Sequence, residues 1–215
     1  MKKSVLFIIC GLIITTCLTG CFKRDSMEDI NIITTIYPIE YVTNRLYGNN
    51  SSVESIYPRN AVSSDYTITS KQLKDYSKYD LFIYNGETSE REYATKMLDN
   101  NNNLKIIDAS YGLEATYSDS DIWLNPSNIL MIGQNIKSAL EDYILNTYLI
   151  EDIDENYTLL KVDITELETE FKKAADNSIN NTIVVADESL NFLEKYGFEV
   201  INLTDNGKEK ESNIE

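Results

Sequence analysis

The sequence predicts an α/β protein: a parallel sheet flanked by helices in an N-terminal lobe, a long linking helix, and the start of a second α/β lobe. Strand-like and helical segments alternate from Ile30 onward, which favours a layered α/β architecture. Tyr79–Tyr84 is almost continuously apolar, as strands buried in parallel sheets are. One helical apolar repeat also runs from Ile153 to Ala174.

The N-terminal lobe is predicted to span residues 30–150. Its strand candidates are short, rich in apolar or β-branched residues, and separated by loops or helical patterns. They are Ile30–Ile36, Val53–Tyr57, Tyr79–Tyr84 and Leu104–Ile107.

Capping residues mark where the helices of this lobe begin. A helix follows Pro38 and ends at Gly48, and Asn125 with Pro126 suits the first positions of another helix. Capping boxes are predicted to open two further helices, since a Ser or Thr precedes Gln or Glu by three residues. These pairs are Thr69 with Gln72 and Ser89 with Glu92.

The linking helix is predicted for residues 151–176, and the incomplete second lobe for residues 177–215. The apolar repeat of the helix fits either a coiled coil or a helix packed along a domain. In the second lobe, Asp187 is expected to cap a helix that Gly197 ends, between strands Thr182–Ala186 and Phe198–Leu203.

Residues 1–20 are predicted to be a lipoprotein signal peptide and residues 21–29 a polar tether. Lys2 and Lys3 precede an apolar segment that is short for a membrane-spanning helix. The segment ends in Leu18-Thr-Gly-Cys21, which resembles the lipobox of bacterial lipoproteins. That resemblance implies a lipid on the Cys21 thiol, which would anchor the chain on the extracytoplasmic face of the membrane.

Charge and composition exclude several classes of function. Removal of Lys2 and Lys3 takes the formal charge from -16 to -18, which argues against nucleic acid and anionic headgroups as ligands. The excess of acid mildly favours cations, but it also serves solubility. The chain has no histidine, and Cys21 alone would remain after cleavage, so no usual nucleophile and base pair exists. We therefore expect no enzyme and no intrachain disulfide.

Asp121 is the first candidate binding residue. It lies two positions before Trp123, the single Trp, on a loop that enters the helix capped by Asn125. From this loop its carboxylate can face a cleft and bind a cation. The alternative is that Asp121 is an exposed loop acid and Trp123 belongs to the core.

The order of these segments resembles the solute-binding lipoproteins of zinc and manganese ABC importers. Resemblance extends from Ile30 to about Leu203 and implies two α/β lobes joined by a long helix, with a metal ion in the cleft between them. It also implies a permease as partner, and we expect a monomer. The matching segments are Ile33–Pro38, Tyr79–Gly86 and Asp119–Pro126.

The metal ligands implied by the resemblance are substituted in this chain. Ser64 stands where the family has its first histidine, Asp121 where it has the second, and Asp187 at the third position. A fourth ligand would lie beyond Glu215. Zinc prefers imidazole and thiolate, whereas this oxygen-only set is better suited to Mn, Mg or Ca.

Two functions stay open at this point. The chain is either the metal-binding component of an importer, or a degenerate or truncated relative without a metal. In the second case it acts as a surface or interaction protein or is nonfunctional. The residues at positions 64, 121 and 187 separate the two, because intact histidines favour transport and their loss favours degeneration.

We expect a Cys21→Ser variant to leave the membrane fraction, because Cys21 is the one residue in the lipobox context that can carry the lipid. Cell fractionation followed by washing of the membranes measures this. A variant that stays bound to washed membranes would show that the anchor is elsewhere.

Overall fold

A four-stranded parallel sheet forms the centre of the computed structural model, which describes residues 25–59, 61, 63–113, 122–205 and 208–209. The strand order is β2-β1-β3-β4, so β1 and β3 are central. All four residues of β3 are buried, which explains the apolar segment seen in the sequence. The strands are β1 (Ile30–Thr34), β2 (Ser51–Ser55), β3 (Leu81–Tyr84) and β4 (Lys105–Asp108).

Helices connect these strands and carry the chain beyond them. Buried Ile39, Val42 and Leu46 form one face of the first helix, and they join the same core cluster as β1 and β3. The helices are α1 (Tyr37–Tyr47), α2 (Ser70–Tyr76), α3 (Glu90–Asn100) and α4 (Pro126–Tyr143). Short 3-10 helices lie at η1 (Ser63–Asp65) and η2 (Ile122–Leu124).

One of the two predicted capping boxes is confirmed. Thr69 and Gln72 exchange both hydrogen bonds at the start of α2. The prediction for Ser89 and Glu92 is wrong, because Ser89 already has helical backbone angles and its side chain makes no capping hydrogen bond. An N-cap residue needs an extended backbone to aim its oxygen at the following N–H groups. Asn125 does cap α4, accepting a hydrogen bond from the Ser127 N–H at 3.1 Å.

The long helix, α5, spans Thr147–Asp176, and its 30 residues extend about 45 Å. It starts earlier than predicted because Asn146 caps it, accepting from the Tyr148 N–H at 3.0 Å. Its buried face joins the core cluster of the first sheet, so the packed alternative is confirmed over the coiled coil. The buried side chains from this face include Leu149, Ile153, Leu160 and Ile164.

Close contact between α4 and α5 depends on Gly133. A Cβ atom there would lie 3.1 Å from the Tyr157 ring and 3.2 Å from the Leu160 side chain, so with any other residue these side chains would have to shift by a few tenths of an ångström. Within the described ranges, none of the helices combines the length and apolar character needed to cross a bilayer.

The described part of the predicted tether packs on the fold. The Asp25 N–H donates to the Tyr143 carbonyl at 2.8 Å, and the Leu145 N–H donates back to the Asp25 carbonyl at 2.7 Å. Met27 is only 1% exposed and belongs to the main core. Met27 is surrounded by polar residues in the sequence, so its burial was not predicted. The prediction of a polar tether is wrong for residues 25–29, because they pack on the fold.

After α5, a smaller unit pairs β5 (Thr182–Val185) with β6 (Glu199–Asn202) in parallel. Between them lies η3 (Glu188–Tyr196), a 3-10 helix that Gly197 ends at a φ of 101°. Phe192, Leu193 and Tyr196 are buried against Phe171 of α5, whereas Val184 of β5 is 60% exposed. A short hairpin of β7 (Thr204–Asp205) and β8 (Lys208–Glu209) follows. The proposed domain boundaries stay predictions.

We expect amide hydrogens in Asp80–Tyr84 to exchange slowly and those from Thr182 onward to exchange faster. β3 is buried and paired on both sides, whereas the second unit has a much smaller apolar core, so it opens at a lower free energy. Hydrogen exchange read by mass spectrometry measures both regions in one sample. Equal protection would contradict the idea of a weakly held second unit.

Candidate metal site

The carboxyl edge of the first sheet is where a ligand site is expected. In the sheet, β2 lies on one side of β1, and β3 and β4 lie on the other side. The chain therefore reverses its direction of winding at the boundary between β1 and β3. Open α/β sheets bind ligands in the crevice at such a point. Thr35 and Asn85 follow β1 and β3 there, and both are buried, at 0% and 1% exposed.

Of the three predicted ligand positions, Asp187 is the one whose side chain the structure describes. It lies exposed at the start of η3, where its carboxylate accepts a hydrogen bond from the Ser189 N–H at 2.9 Å. The hydrogen bonds from Ser189 hold the pKa of this carboxyl below its usual range. Asp187 is therefore an ionised, solvent-accessible oxygen donor, but it also serves as a helix cap.

The side chains of the other two positions lie outside the described part of the chain. Ser64 lies in η1, but its side chain is outside the described part of the chain, and Asp121 is outside it altogether. η2, which begins one residue after Asp121, contacts η3, which begins one residue after Asp187. Among the described residues no three His, Cys, Asp or Glu side chains are grouped to hold a metal ion. The ligand set therefore stays a prediction.

Glu90 is a buried acid at this edge that the sequence analysis did not single out. It is 2% exposed, and its carboxylate accepts a hydrogen bond from the Asn85 N–H at 2.9 Å. Burial raises the pKa of the Glu90 carboxyl, and the Asn85 N–H offsets this only in part. Burial and the adjacent Glu90 also raise the pKa of Tyr57. The sequence signal for Glu90 was an acidic residue in the first turn of α3, soon after the Asn85-Gly86 end of β3.

Asp108, at the end of β4, fixes the turn after β3 and is occupied by neighbours within the fold. One carboxylate oxygen accepts from the Gly86 N–H and the Ser110 N–H, each at 3.1 Å. A Cβ atom at position 86 would lie 1.9 Å from the Asp108 carboxylate, so any larger residue would displace that carboxylate from the turn. Arg91 lies 3.6 Å from the same carboxylate. We assign Asp108 to this turn and not to a metal ion.

A cavity of about 590 Å³ lies at the opposite edge of the sheet. It is lined by residues at the amino ends of β3 and β4, among them Asp80 and Lys105, and by Tyr79 and Asn101. The predicted ligand positions follow the carboxyl ends of strands, so this cavity is not part of the candidate metal site.

Comparison with known proteins identifies the family. The family model of the zinc-uptake complex component A periplasmic matches residues 32–214, and the chain belongs to that family. The resemblance seen in the sequence and the predicted α/β fold class are both confirmed.

Curated relatives carry metal transport names. The manganese ABC transporter substrate-binding lipoprotein PsaA of Streptococcus pneumoniae is 26% identical over 92% of this chain and 70% of its own length. The manganese ABC transporter substrate-binding lipoprotein scaA of Streptococcus gordonii is 27% identical over 83% of this chain. This chain spans 62% of that relative, and 32% of the zinc-binding lipoprotein AdcA of S. pneumoniae.

Solved structures support the fold. A crystal structure of ZnuA superposes with a TM-score of 0.67 at 19% identity, covering 86% of this chain and 75% of that one. The Zn(II)-bound AdcA of S. pneumoniae gives a TM-score of 0.67 at 20% identity, covering 86% of this chain and 42% of that one. At such identities the likeness establishes the fold alone.

We expect the free energy of unfolding of the wild-type chain to fall relative to that of a Glu90→Gln variant as pH rises from about 4.5. A carboxyl whose folded pKa is raised favours folding while protonated, and its ionisation above the ordinary value costs stability. Gln keeps an oxygen acceptor for the Asn85 N–H without this titration. Urea unfolding between about pH 4 and pH 8 measures the gap.

The matched control is Glu92→Gln, two residues along the same helix, whose side chain is 74% exposed. Its stability should follow the wild type with pH. Parallel curves for Glu90→Gln and the wild type would contradict a raised pKa at Glu90.

Proposed function

We propose that this chain is the lipid-anchored, extracytoplasmic solute-binding component of a metal-ion ABC importer. It captures a divalent cation between two lobes and delivers the ion to a permease. The observation that carries this proposal is the family match over residues 32–214. The printed names of the relatives add support, because they describe manganese and zinc substrate-binding lipoproteins.

The donor chemistry favours manganese over zinc as cargo. Ser64, Asp121 and Asp187 offer oxygen donors alone, and the chain contains no histidine. Zinc sites in proteins are built mainly from imidazole and thiolate, whereas Mn²⁺ accepts carboxylate, carbonyl and water oxygens. With two carboxylates among the predicted ligands, we expect modest affinity, since charge count is a main source of binding strength in all-oxygen sites.

Two contacts in the fold support such a site. Asp187 is an accessible carboxylate, and η3 behind it contacts η2 next to Asp121. η2 and η3, which follow the two acidic positions in the sequence, therefore bring the two units into contact. A cation between them would be held by both units, as the proposed capture mechanism requires.

A second function is a family member that binds no metal and acts as a surface or interaction protein, or is nonfunctional. The absence of histidine from all 215 residues favours it, since the resemblance implies histidine at positions 64 and 121. In this case the fold is retained without the transport chemistry.

We expect a chain of residues 24–215 to bind Mn²⁺ and to bind Zn²⁺ no more tightly. Isothermal titration with Mn²⁺, Zn²⁺ and Ca²⁺ measures this. Asp121→Ala and Asp187→Ala should each abolish the Mn²⁺ signal, because either change removes one of the two carboxylates. Asp152→Ala, an exposed aspartate of α5, is the control and should bind as the wild type does.

Two results would count against this reading. Submicromolar zinc affinity would overturn the oxygen-only ligand set. Absence of any Mn²⁺, Zn²⁺ or Ca²⁺ signal from the wild-type chain would favour the relative without metal binding.

A further inference from the structure

Three side chains from α4 and η3 meet on Glu168 of α5, and we call these four residues the Glu168 clasp. Lys195 Nζ lies 2.8 Å from Glu168 Oε1, and the Tyr196 hydroxyl donates to the same oxygen at 2.8 Å. Lys195 also donates to the Ser127 hydroxyl at 2.9 Å, and Ser127 in turn donates to Glu168 at 3.4 Å. One carboxylate oxygen thus joins α4, α5 and η3.

The clasp differs from an ordinary surface ion pair. The Glu168 side chain is only 25% exposed, and hydrogen bonding from Lys195, followed by Tyr196, holds the pKa of its carboxyl below the usual range. Burial, with Glu168 next to the hydroxyl, raises the pKa of Tyr196. Charge-assisted hydrogen bonds are stronger than neutral ones, and the Glu168 acceptor is partly shielded from water although the Lys195 side chain is 54% exposed.

Aromatic packing beneath the clasp makes its geometry specific. The ring of Phe171, one turn after Glu168 on α5, lies 5.3 Å from the Tyr196 ring and 6.1 Å from the Phe192 ring, centroid to centroid. Tyr196 therefore presents its ring to this cluster and its hydroxyl to Glu168. The apolar contacts hold η3 against α5, and the clasp fixes how it sits there.

The clasp links the two segments that carry the acidic site positions. Ser127 lies in the first turn of α4, six residues after Asp121, and its own N–H is capped by Asn125. Lys195 and Tyr196 end the helix that Asp187 begins. A change at Glu168 would therefore loosen η3 from α4 and alter the spacing between Asp187 and η2.

We propose that Glu168 is a positioning residue that locks η3, and with it Asp187, against the first turn of α4. For its effect on metal affinity, this inference rests on the proposed function. Its structural part, the locking of η3, is independent of any metal. Loss of a contact that orients a metal ligand typically weakens metal binding by roughly 10- to 100-fold. Because Glu168 acts on Asp187 through the length of η3, we expect a loss at the lower end of that range.

Hydrogen exchange on the full-length protein in detergent tests the structural part. Glu168→Leu should speed exchange in η3 and β6 by about tenfold or more, while Asp80–Tyr84 stays as slow as in the wild type. Glu168→Gln keeps an acceptor oxygen and should give a smaller change, and Lys195→Met should also loosen η3. Glu166→Leu, at an exposed position on the same helix, is the matched control and should change nothing.

Equilibrium dialysis with Mn²⁺ on the same proteins tests the positioning part. Affinity should fall in the order wild type, Glu168→Gln, Glu168→Leu, with Glu166→Leu equal to the wild type. Unchanged exchange in Glu168→Leu would overturn the whole proposal, and faster exchange with unchanged Mn²⁺ affinity would overturn the positioning role. If the wild type binds no Mn²⁺, the manganese assignment of the proposed function and the positioning role both fail, whereas faster exchange in Glu168→Leu would still uphold the locking of η3.

Discussion

The packing of α5 into the core of the first sheet is the constraint on which the rest of the structure depends. Leu160 and Ile153 of this helix are as buried as the central strands, and Gly133 lets α4 approach them closely. Because α5 is one uninterrupted helix, the residues at its far end that contact the second unit follow directly from those packed on the sheet. The aromatic cluster around Phe171 and the Glu168 clasp complete that attachment. The contacts from Ser127 of α4 to Glu168 and Lys195 depend directly on this packing, because Ser127 belongs to the first unit.

The carboxyl edge of the sheet contains acidic side chains whose oxygens are hydrogen-bonded within the fold. Glu90, in the first turn of α3, and Asp108, at the end of β4, lie at this edge, and backbone N–H groups and neighbouring side chains occupy their oxygens. These acids shape the turn after β3. A cation site near this edge must therefore draw on residues from the longer loops and the second unit, as the family positions at Ser64, Asp121 and Asp187 do. Their oxygen chemistry separates this chain from histidine-based zinc sites.

Local sequence signals decided much of the fold correctly. The apolar segment at β3, the capping box of α2, the Asn125 cap and Gly197 each act within a few residues, so they are visible without tertiary information. The candidate metal positions, by contrast, came from resemblance to a family. No local pattern distinguishes Asp187 as a ligand from Asp187 as a cap, and the structure shows it capping η3.

By itself, the sequence determined the fold class, the order of most elements and the oxygen-only chemistry of the candidate ligands, because these follow from residue type and periodicity. Tertiary structure decided which chemically similar residues have different environments. Met27 packs into the core although its neighbours are polar, Glu90 is buried while Glu92 is exposed, and Glu168 meets Lys195 across 27 positions of the chain. Such contacts depend on how distant elements pack, and periodicity within one element carries no information about its partner.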